Sequence, residues 1–237
     1  MAEFDGKRVL VTGGTQGIGL AIAQAFAEAG ADVRITGTRG SASEYSDKLG
    51  GFAYTQARME NKDERAALAA AMGEVDVLVN NAGGGQPKET ELENFLACIE
   101  INLVSVMDLS MRLYPSLKAR KGNVVNLGSV ASFLGLSAFP AYTAAKSGVL
   151  GLTRALADKW ARDGVRVNMV APGFIETQAT AGIRVSKESD ERLMKNIPMQ
   201  RWGQPAEIAN AVTFLASPKA SYITGASLLI DGGLTLR

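Results

Sequence analysis

Apolar residues fall along this chain in blocks. Short apolar runs, such as Val9-Leu10-Val11 and Val77-Leu78-Val79, are separated by longer segments with helical spacing. An apolar run without polar interruption predicts a strand buried on both faces. On that rule strands are expected at 7–12, 32–36, 52–57 (the weakest), 75–79, 123–127, 165–171 and 227–230. Helices are expected at 20–29, closed by Gly30, and at 63–72, 142–162 and 205–216. One long helix is expected within 91–118, bent or ended near Pro115. Residues 174–201 read as irregular or partly helical. Strands that alternate with helices predict an α/β fold, a parallel sheet covered on both faces. No Pro/Gly-rich linker, repeat or low-complexity stretch divides the chain, so residues 1–237 read as one domain.

Composition narrows the chemistry more than the fold. The 46% hydrophobic content is ample for a core. A net charge of +1 argues against a strongly charged surface for nucleic acid or an anionic membrane. The start of the chain has no basic-then-apolar pattern of a signal peptide. No run of about twenty apolar residues is found, so no membrane span is expected. Cys98 stands alone, which fits a reducing compartment and a small buried side chain. The chain contains no histidine. Acid–base work therefore falls to Tyr, Lys, Asp, Glu or Ser, and neither a His-dependent triad nor a thiolate cluster for a metal can form.

Two stretches carry candidate chemistry. Gly13-Gly14-Thr15-Gln16-Gly17-Ile18-Gly19 joins an expected strand to an expected helix. Glycines there let the backbone approach a ligand, and the helix N-terminus favours a pyrophosphate. The glycine spacing differs from the G-x-G-x-x-G fingerprint of dinucleotide folds. The second stretch is Tyr142-Thr143-Ala144-Ala145-Lys146. Residues four apart on a helix share a face. A lysine beside a phenol is expected to lower its pKa from about 10 and fit it for proton transfer near neutral pH.

Taken in order, these and other residues resemble the short-chain dehydrogenase/reductase family in its single-domain form. The resemblance covers nearly the whole chain. Its residues are the turn 12–19, Asn80-Asn81-Ala82-Gly83 after the fourth strand, Asn102 on the long helix, Ser129 after the fifth strand, Tyr142 with Lys146, and Pro172-Gly173 after the sixth. The most similar members are 3-oxoacyl-carrier-protein reductases and related ketone reductases, most plainly over 170–177 and 208–225.

The resemblance implies a doubly wound Rossmann-type fold with a parallel seven-stranded sheet. It implies hydride transfer between a nicotinamide cofactor and a ketone or secondary alcohol. Tyr142 would be the acid and base, Ser129 would hold the substrate oxygen, and Lys146 would tune Tyr142 and hold the cofactor ribose. Asn102 would complete a proton relay. Gly13, Thr15, Gln16, Gly17, Ile18, Gly19, Asn81, Ala82, Gly83, Pro172, Gly173, Ile175 and Thr177 would line the cofactor. Two positions depart from the common pattern: Gln16 stands where many NADP-using members have a base, and Arg58 where many have an acid by the adenine. The adenine contact would then fall to backbone near Met59.

NADP(H) is expected over NAD(H). NAD-specific folds place an acid after the second strand to bind the ribose 2′-hydroxyl. Here that position is Gly37, followed by Thr38 and Arg39, whose hydroxyl and guanidinium suit a phosphate. Arg58 is expected nearby.

Residues 174–201 should cover the substrate, a small ketone or alcohol and in one reading a carrier-linked one. Phe133, Leu134, Phe139 and Phe174 are candidates for its apolar wall, and Arg184 and Lys187 for attracting an anionic carrier. A homotetramer in the cytoplasm is implied. Two alternatives stay open: a catalytically silent dinucleotide-binding regulator, and an isomerase or dehydratase that uses the nicotinamide transiently.

Overall fold

The computed structural model describes residues 2–46, 49, 51–183 and 187–236. Its sheet has seven strands: β1 (Arg8–Val11), β2 (Asp32–Gly37), β3 (Ala53–Gln56), β4 (Val77–Asn80), β5 (Asn123–Leu127), β6 (Arg166–Pro172) and β7 (Ser227–Ile230). The order is β3-β2-β1-β4-β5-β6-β7, and every pairing is parallel. The helices are α1 (Gly17–Glu28), α2 (Lys62–Met72), α3 (Leu92–Ile99), α4 (Ser105–Arg120), α5 (Pro140–Trp160), α6 (Lys187–Lys195) and α7 (Pro205–Ala216).

Alternation along each strand divides its side chains between two cores. Val9 and Val11 of β1, with Val77, Val79, Val125 and Leu127, pack on Ile22 and Phe26 of α1 and Ile208, Val212 and Leu215 of α7. Leu10, Leu78 and Val124 face the other way, onto Leu68 of α2, Leu109, Leu113 and Leu117 of α4, and Leu156 and Trp160 of α5. Each such side chain stabilises the fold by roughly 1.5–3 kcal/mol. The strand order turns outward in both directions from β1 and β4. In sheets of this kind the ligand crevice opens there, at the carboxyl ends.

Three expectations need correction. Helix α1 begins at Gly17, inside the glycine-rich turn, not at residue 20. The long helix does not end at Pro115, which lies within α4. The carbonyl that Pro115 leaves without a partner belongs to Met111, which is exposed and open to water. The ladder changes instead at Glu100–Val104, one turn of π-helix between α3 and α4 that contains Asn102. Buried Arg65 pins this turn: it donates to Glu100 at 2.8 Å, to Asp108 at 2.7 Å and to the Met59 carbonyl at 2.5 Å.

The third correction concerns the membrane. The helical stretch Leu92–Arg120 is long and apolar enough to cross one. In the fold it is a core helix, with Leu109, Leu113 and Leu117 against the sheet and Glu100 and Asp108 paired with Arg65.

Candidate active site

The carboxyl ends of β1 and β4 are tied together before any ligand is considered. Thr12 Oγ1 accepts the Asn81 and Ala82 N–H groups at 2.9 and 3.0 Å. Asn81 Nδ2 donates to the carbonyls of Thr12 and Gly13 at 2.9 and 3.1 Å. Asn81 thus braces the glycine-rich turn. Gly19 is required there for space: a Cβ on it would lie 2.2 Å from the Gly13 carbonyl oxygen. Among the described residues no side chain caps the start of α1, and its first turn holds no acid. Its N–H groups and dipole therefore face the crevice free to meet an anion. Thr15 is buried beside them. The chain after β6 returns to this turn. Gly173 N–H bonds Ile230, buried Ile175 bridges Gly203, and a Cβ on Gly17 would lie 3.3 Å from the Thr177 methyl.

At the end of β2 the Thr38 and Arg39 N–H groups converge on one oxygen. It is the hydroxyl of Tyr45, which accepts them at 2.6 and 2.9 Å and lies 3.2 Å from Thr38 Oγ1. Burial alone would raise the Tyr45 pKa, but these bonds outweigh it and the net shift is downward. The Arg39 guanidinium stacks on the Tyr45 ring at 4.5 Å and also bonds the Glu44 carbonyl. A Cβ on Gly37 would lie 2.8 Å from both Thr15 Cγ2 and the Tyr45 hydroxyl, so a side chain at this position would have to push those groups aside. Arg58 is turned elsewhere, onto Glu64 at 3.0 Å. Met59 is buried with its carbonyl bonded to Arg65.

The remaining candidates meet above β5. Ser129 caps the short turn that follows β5, accepting Ala131 N–H at 3.1 Å, and it lies near enough to Tyr142 to pull the phenol pKa down. Tyr142 and Lys146 share one face of α5, the lysine Nζ 5.5 Å from the centre of the phenol ring. Lys146 is buried and donates to the Leu127 carbonyl at 2.8 Å. Asn102 is fully buried: its oxygen accepts Gly84 N–H at 3.0 Å, and its nitrogen donates to the carbonyls of Gly84 and Cys98, both at 2.9 Å. Gly83 and Gly84 thus connect the loop after β4 to the π-turn.

Electrostatics here run against the expectation that Lys146 draws the phenol down. Burial pushes Tyr142 up to about 12, Cys98 and Glu89 push the same way, and only Ser129 opposes them. Burial also pushes Lys146 down to about 8. At both groups the cost of desolvating the charged form dominates.

Of the suggested wall residues, Phe133 and Phe139 are exposed, Leu134 is half-buried, and Phe174 packs edge-on against Trp202. Residues 178–183 form a tight helical turn and 187–195 form α6, so the segment 174–201 is more helical than irregular. Arg184 lies outside the described residues, as does the side chain of Lys187.

Two residues at this cleft escape a reading of the sequence. Tyr45 sits in a polar stretch after β2 with no periodic pattern around it. Glu89 is a buried carboxylate in the loop after β4, bonded to Tyr142 N–H at 2.9 Å across a sequence separation of 53.

Comparison with known proteins places the chain among oxidoreductases. Residues 13–235 match the family model described as enoyl-(acyl carrier protein) reductase. The chain is 41% identical to the 3-oxoacyl-[acyl-carrier-protein] reductase FabG of Vibrio cholerae, covering 98% of each protein. It is 38% identical to the 2-dehydro-3-deoxy-D-gluconate 5-dehydrogenase of Bacillus subtilis, covering 98% of this chain and 95% of that one. Among solved structures, a putative 2-deoxy-D-gluconate 3-dehydrogenase from Agrobacterium tumefaciens with bound NADP superposes with a TM-score of 0.90 at 36% identity, over 99% of this chain and 98% of that one.

Proposed function

The chain belongs to the short-chain dehydrogenase/reductase family, and we propose that it reduces a 3-oxoacyl-type ketone, carried as a thioester, with NADPH. The observation that carries this reading is the meeting of Ser129 and Tyr142 above β5, with Lys146 buried beside the phenol ring. Two hydroxyls so placed can hold one substrate oxygen and deliver a proton to it. That suits a carbonyl becoming an alcohol. An enoyl thioester, the substrate type in the family model's description, takes hydride two bonds away from its carbonyl carbon, so the oxygen it offers is not on the carbon that is reduced.

NADPH fits the residues present. The glycine-rich turn and the start of α1 would hold the pyrophosphate. Thr38 and Arg39 would take the 2′-phosphate, and Gly37 offers no carboxylate of the kind that selects NAD. Asn81 to Gly83, Pro172, Gly173, Ile175 and Thr177 would line the nicotinamide half. Bound there, the cofactor supplies the hydride. Ser129 donates to the substrate oxygen and favours its developing charge. Tyr142 gives that oxygen its proton, leaving a phenolate. Lys146 stabilises the phenolate, and Asn102 orders the path by which a proton returns. In oxidation Tyr142 takes the proton instead.

We read residues 1–237 as one domain, with 174–201 over the substrate. A homotetramer is proposed from the family, and exposed Met107 and Met111 of α4, with Leu228 and Leu236 near the last strand, supply apolar area for it. A cytoplasmic enzyme without nucleic-acid or membrane partners is the corresponding setting. Relatives acting on gluconate-type substrates favour a second reading, a keto-sugar acid in place of the acyl thioester.

The test follows reduced-nicotinamide absorbance with 3-oxoacyl thioesters, enoyl thioesters and keto-sugar acids, each with NADPH and NADH. Turnover should be fastest with 3-oxoacyl thioester and NADPH. A faster keto-sugar acid selects the second reading, and no turnover with any of them favours a silent regulator.

A further inference from the structure

The buried carboxylate of Glu89 has no place in the chemistry above. We infer that Glu89 is a positioning residue for Tyr142: its carboxylate ties the first turn of α5 to the loop after β4 and keeps the phenol in its proton-bearing form. The inference rests on reading Tyr142 as the proton-transfer group.

Glu89 is 2% exposed. One oxygen accepts Tyr142 N–H at 2.9 Å; the other accepts Gln86 N–H at 2.9 Å and faces Cys98 Sγ at 3.7 Å. Cys98 Sγ in turn lies 3.4 Å from Asn102 Nδ2. A single side chain therefore joins the loop after β4, which carries Gly83, to α3, which leads into the π-turn of Asn102, and to α5, which carries Tyr142.

A carboxylate is costly to bury, by several kcal/mol in general. Among the described residues no lysine or arginine forms an ion pair with Glu89. Its compensation is local. Helix α5 has no side-chain cap from its own N-cap residue, Phe139. Glu89 reaches in from another loop to take the third helical N–H, and the helix dipole favours a negative charge there. A glutamine would not be equivalent. All three of its neighbours donate, and an amide would turn its NH₂ toward one of them.

The groups that face Tyr142 are Ser129 from the turn after β5, Cys98 from α3, Glu89 from the loop after β4 and Lys146 on α5 itself. Glu89 is the one carboxylate in this set. Its charge disfavours a phenolate and so holds Tyr142 as the acid that ketone reduction needs.

The experiment compares wild type with Glu89→Gln, Glu89→Asp and Tyr142→Phe. Tyrosinate absorbance is titrated in each, the Tyr142 signal being the step that Tyr142→Phe deletes. NADPH affinity and the pH dependence of kcat are measured alongside. Glu89→Gln should bring the Tyr142 step down by roughly one pH unit. It should lower kcat about tenfold through misplacement of the phenol, with NADPH affinity within about twofold of wild type. Glu89→Asp keeps the charge on a shorter reach, so it should lower kcat and leave the Tyr142 step in place. An unmoved Tyr142 step in Glu89→Gln, or a fall in kcat matched by an equal loss of NADPH affinity, overturns the inference. If Glu89→Gln does not fold, Glu89→Asp decides: full kcat there overturns the positioning role. Normal turnover in Tyr142→Phe would overturn the proton-transfer reading instead, and the titration separates the two failures.

Discussion

The two ends of the cleft above the strands are built differently. At the end of β2 the binding groups are backbone N–H donors and an exposed arginine, and an internal acceptor already satisfies them: Tyr45 holds Thr38 and Arg39. Above β5 the groups are side chains, and burial dominates. Lys146 and Asn102 are nearly or fully inaccessible, and the phenol and ammonium are pushed in opposite directions. An exposed donor set is screened by water and replaceable, so single changes there should be modest. A buried set has no substitute, so single changes should be severe. Both expectations can be broken.

The largest effect should come from Tyr142→Phe. The ring stays and the hydroxyl proposed as the proton donor goes. We expect kcat to fall by about 10²-fold or more, the usual scale for losing general acid–base catalysis. NADPH affinity, measured by fluorescence titration, should change little. Turnover within a few-fold of wild type would show that the buried end has another proton source.

Next is Lys146, where function and stability should part. Its pKa is held at about 8 in the fold against 10.5 ordinarily. Between those values the folded chain binds fewer protons than the unfolded chain, so this group makes stability rise with pH across that window. Lys146→Met removes the buried ammonium but orphans the Leu127 carbonyl. It should abolish most turnover yet raise Tm near pH 7 by about 2–5 °C, an order-of-magnitude figure from the linkage and the loss of one bond. The advantage should shrink toward pH 10, where both states lose the charge. Thermal melts at the two pH values check this, and a deficit of equal size at both would mean that the lysine is held by packing alone.

At the exposed end Arg39→Ala should cost about tenfold in kcat/KM for NADPH and little for NADH, the scale of one charge-assisted contact partly screened by water. Equal losses for both cofactors would place Arg39 in loop structure through its stacking on Tyr45.

The same contrast explains what could be read from the sequence. Gly19, Ser129, Tyr142 and Lys146 could be singled out because of their residue types at strand ends and at helical spacing, and the fold brings the last three together above β5. The strands at 123–127 and 227–230 and the helix at 205–216 match the structure because their apolar runs are unambiguous. The π-turn at Asn102 was not legible, since one extra residue in a helical ladder leaves no mark on composition. Pro115 misled because the local rule takes no account of where the freed carbonyl points. The direction of the Tyr142 shift was missed because pairing is visible in a sequence and desolvation is not. Glu89 and Tyr45 were invisible for a related reason: each acts on backbone N–H groups, which have no letter.

The smallest effect, and the sharpest test of the comparison, is Tyr45→Phe. In the fold the Tyr45 hydroxyl occupies the position of an anion oxygen, 2.6 and 2.9 Å from two converging backbone nitrogens. If a 2′-phosphate uses the same donors, it must first displace that hydroxyl, and part of its binding energy goes into the exchange. Phenylalanine keeps the ring under the Arg39 guanidinium, 4.5 Å away in the wild type, and removes only the competing acceptor. The two N–H groups then turn to water, which a phosphate displaces more readily than a tethered phenol. Affinity for 2′,5′-ADP should therefore tighten by about threefold, the value of a fraction of one net hydrogen bond. Affinity for 5′-ADP, which lacks the 2′-phosphate, should stay the same. Calorimetric titration with the two nucleotides measures this without any turnover. Weaker binding of both in Tyr45→Phe would mean that the hydroxyl shapes the loop for the adenosine as a whole, and the exposed end would then be as tightly built as the buried one.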